Sequence, residues 1–417
     1  MFDCDWCVFS ESDLEQARHQ VETNGVSGIH NFLVEKTKKW KFVKINIGIA
    51  GESAVGKSSF INCIRDITAD DNDGAPVGTG DTTIEPTRYW HPYNEELVFW
   101  DLPGVGTPKY PRNEKYFDLI NFEKYDFFLI LSDNRFSTND VWLAREIAKR
   151  GKRFFFVRTK IDEAMENEQE IRGGDFSASA VLDKIIKDCQ NNFKVAQLTD
   201  TSVFCISNYH REMWQFEELM EQLIVALPEM KRMSLVLSIG PVSKQVIGQK
   251  TKFLTDRIWQ VASISAMTAA GGSVVPVPLL GGAIGVAADV TILLHEVDFY
   301  LKQYGLNDES LKQLADRTNT KVDYYVKSLK FASTLVTKRQ SIKAFVIDMI
   351  KKEAVKQAEK RTFQEFARLI PIIGMAVAGG ISFGTCYYFL RKTIQQFETD
   401  AVAVVDAAIR KTSEELD

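Results

Sequence analysis

Excess positive charge is missing from this chain of 417 residues: 51 Lys and Arg stand against 56 Asp and Glu, a net charge of −5. That balance supplies no global field for gripping phosphate backbones, which argues against nucleic acid as a partner. Cysteine is sparse too, six residues in all (Cys4, Cys7, Cys63, Cys189, Cys205 and Cys386). Their scatter, with two inside apolar segments, is unlike a disulfide scaffold and points to a reducing compartment. Cys4 and Cys7 form one CxxC, but no second pair follows at the distance a four-ligand zinc site needs. The histidines, His19, His30, His91, His210 and His295, are dispersed and receive no role. The start lacks a basic, then apolar leader and a glycine at position 2, and the end Glu414-Glu415-Leu416-Asp417 is no prenylation box. A cytoplasmic protein is expected, reaching membranes only through internal segments. No tandem repeat of solenoid period occurs.

What is present reads as more than one folded unit, since domains average roughly 150 residues. Hydrophobic residues make up 45% and charged residues 26%, the usage of soluble globular chains. Residues 8 to 40 space Leu14, Ala17, Val21, Ile29, Phe32 and Leu33 by threes and fours around Asn24-Gly25, which predicts two short helices. From Phe42 the pattern changes to short apolar runs, Ile45 to Ala50, Leu97 to Trp100, Phe127 to Leu131, Phe154 to Val157 and Val203 to Ile206, separated by helix-like stretches. Such alternation predicts an α/β domain with a mostly parallel sheet covered by helices on both faces. In that frame Phe154-Phe155-Phe156 is core strand and not a base-stacking platform. After Pro228 the strand signals stop. The expected division is therefore 1–40 N-terminal helical, 41–230 α/β, and 231–417 helical.

The most specific string is Gly51-Glu52-Ser53-Ala54-Val55-Gly56-Lys57-Ser58, a G-x-x-x-x-G-K-[ST] between the first run and the helical pattern Phe60, Ile61, Ile64. Phosphates need several backbone N–H groups aimed inward, so glycines allow the tight loop and the helix N-terminus adds its positive end. Lys57 would neutralise the β- and γ-phosphates, and Ser58 would bind Mg²⁺, which keeps waters and takes few protein ligands. Ser59 follows as a helix residue at the same site.

Three further segments bear on the choice between adenine and guanine. Trp100 leads into Asp101-Leu102-Pro103-Gly104, a DxxG in which Asp101 can hold a magnesium-bound water and the Gly104 N–H can sense the γ-phosphate. Arg158 leads into Thr159-Lys160-Ile161-Asp162, whose carboxylate can accept both N–H groups of guanine's Watson–Crick edge, a pair that adenine lacks. Ile206 leads into Ser207-Asn208, suited to offer backbone N–H to the guanine O6. Each string alone is common, but in this order, each after a strand, they describe one guanine nucleotide pocket at the strands' carboxyl ends. An adenine-dependent ATPase or kinase would forfeit both bonds to Asp162. Between the first two motifs, Pro76 to Thr87 has loop composition, and a switch loop needs a threonine for Mg²⁺ and the γ-phosphate. Thr83 is the choice, with Thr82 and Thr87 as rivals.

On these residues the chain resembles the immunity-related GTPases, an interferon-inducible, dynamin-like group. The likeness rests on Gly51 to Ser58, Trp100-Asp101-Leu102-Pro103-Gly104, Tyr125-Asp126-Phe127-Phe128, Phe156-Val157-Arg158-Thr159-Lys160-Ile161-Asp162 and Ser207-Asn208, with Phe299-Tyr300-Leu301-Lys302-Gln303-Tyr304-Gly305-Leu306 downstream. Lys57 places it with the GKS class. The resemblance implies a Ras-like P-loop G domain and an all-α domain built from both chain termini. It also implies GTP-dependent dimers or larger homo-oligomers through the nucleotide face, association with intracellular membranes and cell-autonomous defence.

Hydrolysis poses a separate question, because Ras-type enzymes orient the attacking water with a glutamine directly after DxxG, and this chain has Val105 there. An isolated subunit is expected to hydrolyse GTP slowly until a group arrives from a partner or the switch loop. Asp81 and Glu85 are the acidic candidates for acting across a dimer. A GTP-gated module that recruits partners with negligible hydrolysis is the alternative.

Membrane contact has three candidate segments. Ile258 to Ala288 is 31 residues without charge, but Gly271-Gly272, Pro276-Val277-Pro278 and Gly281-Gly282 would break it into a hairpin of two helices, in lipid or in the core. Leu369 to Leu390 is 22 residues between Arg368 and Arg391, interrupted by Pro371, Gly374 and Gly379-Gly380. Lys338 to Arg361 carries eight basic and three acidic residues with Ile342, Phe345, Val346, Met349 and Ile350 on one face, a pattern for an anionic membrane surface or for a core-packed helix. Together they favour peripheral attachment over insertion.

Overall fold

The computed structural model describes residues 39–78, 85–134, 136–195, 197, 198, 201–271, 281–330 and 377–416, with residues 16, 19, 20, 23 and 24; for 263–271, 281–291, 377–383, 385, 415 and 416 it describes backbone only. It divides into two compact units, Trp40–Val246 with Ile409–Asp417, and Met1–Lys39 with Ile247–Ala408.

The first unit is built on a six-stranded sheet of β1 (Ile45–Gly51), β2 (Thr87–His91), β3 (Asn94–Asp101), β4 (Phe127–Ser132), β5 (Arg153–Arg158) and β6 (Val203–Cys205). The strands lie in the order β2-β3-β1-β4-β5-β6, parallel except for β2. Neighbouring side chains point to opposite faces of a strand, so complete burial of β1 and β4 means that both faces of the sheet are covered. The covering comes from α1 (Lys57–Ile64), α2 (Lys115–Ile120), α3 (Thr138–Lys149), α4 (Ile161–Arg172), α5 (Ala178–Val195), α6 (Phe216–Ala226) and α7 (Glu229–Ser238). Phe156 of the aromatic run is fully buried and stacks on Phe193, ring centroids 4.3 Å apart, as expected of core.

Two features differ from the sequence expectation. Strand β2 is not among the expected apolar runs and only its first residue, Thr87, touches the expected loop, because its residues are mostly exposed and follow Pro86, leaving no apolar run to see. It forms by pairing antiparallel with the buried β3. The first unit also extends to Val246, past the expected end at 230. Buried Asn94, at the start of β3, donates from Nδ2 to Ser234 Oγ (3.0 Å) and Ser238 Oγ (2.9 Å), which ties α7 to the sheet.

The second unit is helical among its described residues. It contains α8 (Lys244–Gly271) from Ile247 onward, α9 (Gly281–Gln303), α10 (Asp308–Arg317), α11 (Val322–Val326) and α12 (Val377–Leu416) as far as Ala408. Thr251 of α8 and Tyr304, directly after α9, share a hydroxyl hydrogen bond of 2.7 Å. Between the two helices, buried Arg257 donates from Nε to Glu296 Oε2 (2.9 Å) and from Nη2 to Oε1 (2.6 Å). The charge-free stretch 258–288 is shared between α8 and α9, and its turn residues 272–280 lie outside the described residues, as do Cys4, Cys7, 338–361 and 369–376. Among the described residues no helix is long and apolar enough to cross a membrane.

Candidate functional site

Strands β1, β3, β5 and β6 all deliver their carboxyl ends to one side of the sheet, and a cleft of about 790 Å³ opens there. The glycine loop crosses it first. Gly56 precedes α1 with φ 87°, a left-handed conformation that favours glycine, and a Cβ there would meet Asn208 Nδ2 at 3.0 Å. Lys57 is buried and folds back to donate to Gly51 O (3.1 Å) and Glu52 O (2.7 Å). Its ammonium therefore lies within the curve of the glycine loop, against the loop's own carbonyls. Ser58 Oγ lies 3.4 Å from Asp101 Oδ2, and Asp101 is only 2% exposed.

Of the residues expected at the site, Glu52, Ser53, Ala54, Gly56, Lys57, Ser58, Ser59, Asp101, Gly104, Lys160, Asp162 and Asn208 line this one cleft. Gly51, Val55, Thr159 and Ser207 are buried behind it. Thr159 is fully buried, and its Oγ1 donates to Val55 O (2.7 Å) and Ser132 O (3.2 Å), clamping the TKxD loop to the glycine loop. Ser207 Oγ accepts from the backbone N–H of Tyr209 (3.1 Å) and His210 (3.2 Å), holding the turn that carries Asn208. Asn208 Nδ2 in turn donates to Gly56 O (3.1 Å). Lys160, with φ 55°, sends its ammonium to Asp133 at 3.2 Å. Asp81, Thr82 and Thr83 lie outside the described residues. Their rival Thr87 begins β2 and is not among the lining residues.

The cleft has members the motifs did not indicate, among them Val77, Lys109, Tyr110, Asn139 and Tyr209. Lys109, beyond DxxG, pairs with Glu85, within the Pro76 to Thr87 loop segment, at 2.9 Å. One sequence signal could have placed Asn139: Ser137-x-x-Asp140 is a capping box, with Ser137 N donating to Asp140 Oδ2 (2.9 Å) and Asp140 N to Ser137 Oγ (3.2 Å). Burial pushes the Asp140 carboxyl up to about 6; its bonds to Ser137 pull the other way, Glu52 adds to the rise and Lys57 opposes it.

A glycine loop between a central strand and its helix, with three more loops gathered at parallel strand ends, defines a P-loop G domain. The model of the interferon-inducible GTPase (IIGP) family matches residues 10–370, and the chain belongs to that family. It is similar to interferon-inducible GTPase 5 of Bos taurus, 32% identical over 404 residues that cover 95% of this chain and 82% of the relative. Interferon-inducible GTPase 1 of Mus musculus is 34% identical over 279 residues, 67% of this chain and 65% of that one. Among solved structures the chain is similar to Era in complex with MgGDPNP and 16S ribosomal RNA nucleotides, at 20% identity and a TM-score of 0.31 over 45% of this chain and 58% of that chain.

Proposed function

We propose that this chain binds GTP with Mg²⁺ in the cleft and hydrolyses it to GDP and phosphate, with dimerisation through the nucleotide face completing the catalytic site. One observation carries the reading: Lys57 and the Ser58–Asp101 pair share a single cleft with Asp162 and Asn208, so groups suited to a triphosphate and to a guanine meet in one place. Oxygen donors from a hydroxyl and a buried carboxylate suit Mg²⁺, a hard cation that takes water and phosphate oxygens for its remaining positions. When bound, the ion would neutralise charge on the β- and γ-phosphates. Thr83 is the proposed third group toward the metal.

Base choice falls to Asp162. Its two bonds to guanine would be charge-assisted, each worth about 1.5–3 kcal/mol, so Asp162→Asn should cost a hundredfold or more in affinity for GDP. Affinity for the xanthine nucleotide should rise, since its O2 accepts where guanine's N2 donates. Activation needs a second subunit because Val105 is apolar and buried, and Asp81 or Glu85 is the acidic group proposed to reach across. Glu85 is held by Lys109 in the free chain, but an exposed pair contributes only about 0–1 kcal/mol and would yield to a partner. Phosphate release per subunit should rise with protein concentration. A flat rate would remove the dimer, and no release at any concentration would leave a GTP-gated binding module, the second reading that Val105 supports. Peripheral attachment to intracellular membranes in cell-autonomous defence completes the proposal, and flotation with lipid vesicles under GDP and under a non-hydrolysable GTP analogue tests it.

A further inference from the structure

The residue after DxxG cannot serve the attacking water, and the structure places an amide near the position that this leaves open. Val105 lines the cleft but is 8% exposed and packs in the core cluster with Leu102, Tyr110 and Tyr116, so it offers the water only apolar surface. Asn139 lines the cleft with Ser58, Asp101, Gly104 and Gly106. It is the second residue of α3, and the Ser137–Asp140 capping box fixes the turn from which it projects.

Its side chain lies against Gly106. A Cβ on Gly106 would fall 2.8 Å from Asn139 Nδ2 and 3.2 Å from Oδ1, and φ of 95° disfavours any other residue there. The glycine therefore leaves space for the amide two residues beyond Gly104, the backbone group expected to sense the γ-phosphate. A carboxamide is also the group that the missing glutamine would have supplied, with one acceptor for a water proton and two donors for oxygen.

We propose that Asn139 is a water-orienting catalytic residue supplied by the subunit's own cleft, acting beside the acidic group proposed to reach across from a second subunit, its Oδ1 accepting from the attacking water and its Nδ2 donating toward a γ-phosphate oxygen. The inference rests on the hydrolysis proposed above. In the step itself, the water oxygen bonds to the γ-phosphorus as the bond to the β–γ bridging oxygen breaks. The amide takes up no proton, so the protons leave with phosphate and solvent.

The test uses the full chain, wild type and Asn139→Ala, with Asn139→Asp as a variant that keeps the shape. Three quantities are measured: affinity for GDP and for a non-hydrolysable GTP analogue, the single-turnover rate of GTP cleavage, and binding of GDP with aluminium fluoride. Asn139→Ala should keep both ground-state affinities within about threefold while cleavage falls about 10–100-fold and the fluoride complex is lost, since removing one transition-state contact costs that order. Asn139→Asp should be slow as well, because its charge repels the γ-phosphate. Wild-type cleavage rates in both variants would overturn the role of Asn139 and leave hydrolysis standing. Loss of nucleotide affinity in both would make Asn139 a binding residue and overturn it too. A wild-type chain that releases no phosphate would overturn this inference together with the proposed hydrolysis.

Discussion

Replacing Thr159 by valine removes one hydroxyl and almost no volume from the point where two loops of the cleft are joined. The hydroxyl donates to Val55 O at 2.7 Å and Ser132 O at 3.2 Å from a fully buried residue. Ser132 O also accepts from the Thr159 backbone N–H at 2.9 Å and would keep that partner, so the carbonyl of Val55 alone is stranded. A buried acceptor left without a donor costs about 1–3 kcal/mol. That is a shift of roughly 2–6 °C in melting temperature for a unit of this size. The loss should also appear in binding, because Val55 supports the proposed phosphate end of the cleft and Thr159 the proposed base end. Loosening their tie would weaken GDP and the GTP analogue alike, by about tenfold for each 1.4 kcal/mol transferred to the bound state. Urea unfolding gives the first quantity and nucleotide titration the second. Thr159→Ser retains the hydroxyl and should stay within about threefold of wild type in affinity. If Thr159→Val matches wild type in both measurements, the clamp does not couple the two ends and the bond is incidental.

Two further outcomes follow from buried charge. Glu296 is fully buried; burial pushes its carboxyl up, but Arg257 and His295 outweigh this and hold it down at about 2. A depressed carboxylate stabilises the fold above its ordinary value near 4.5 and loses that contribution as pH falls toward 2, so Glu296→Gln should remove this contribution to the acid dependence of the helical unit. It should also cost about 3–5 kcal/mol at neutral pH by removing the negative charge that balances the buried guanidinium, whereas the paired change Arg257→Met with Glu296→Leu should be close to neutral, both read by urea unfolding. Asp140 has the opposite sign: its carboxyl is raised from 3.8 to about 6, so the proton it keeps on folding stabilises below pH 3.8, and this is lost as pH rises through 6. Wild type should therefore lose up to about 3 kcal/mol relative to Asp140→Asn between those limits, and a difference that stays flat from pH 4 to 7 would refute the burial argument.

Legibility followed burial. Strands β1 and β4 announced themselves because parallel strands covered on both faces must be apolar along their length, as in Ile45 to Ala50. Strand β2 left no such trace, for an exposed edge strand takes its stability from the partner's backbone and not from its own side chains. The end of the first unit was illegible for a related reason. Nothing in Ser234 or Ser238 says that both hydroxyls will meet the amide of Asn94, a pairing across 140 and 144 residues of sequence.

Within the cleft the same distinction separates motif from support. Lys57, Asp101 and Asp162 could be named in advance because phosphate and guanine demand particular groups at fixed distances from a strand end. Thr159 and Ser207 sit in the same strings but are turned inward, one clamping two loops and the other holding a turn. Such strings therefore record support as well as contact. Asn139 lies outside every string: its place in the cleft depends on where β4 ends and on a capping box that starts the next helix. A residue recruited by topology should tolerate no shift in that start. Ser137→Ala, which removes the hydroxyl that caps α3, should cost about 1 kcal/mol of stability and slow GTP cleavage more than it weakens GDP binding. Equal losses in both would mean that the capping box supports the cleft as a whole and leaves the placement of Asn139 without consequence for the reaction.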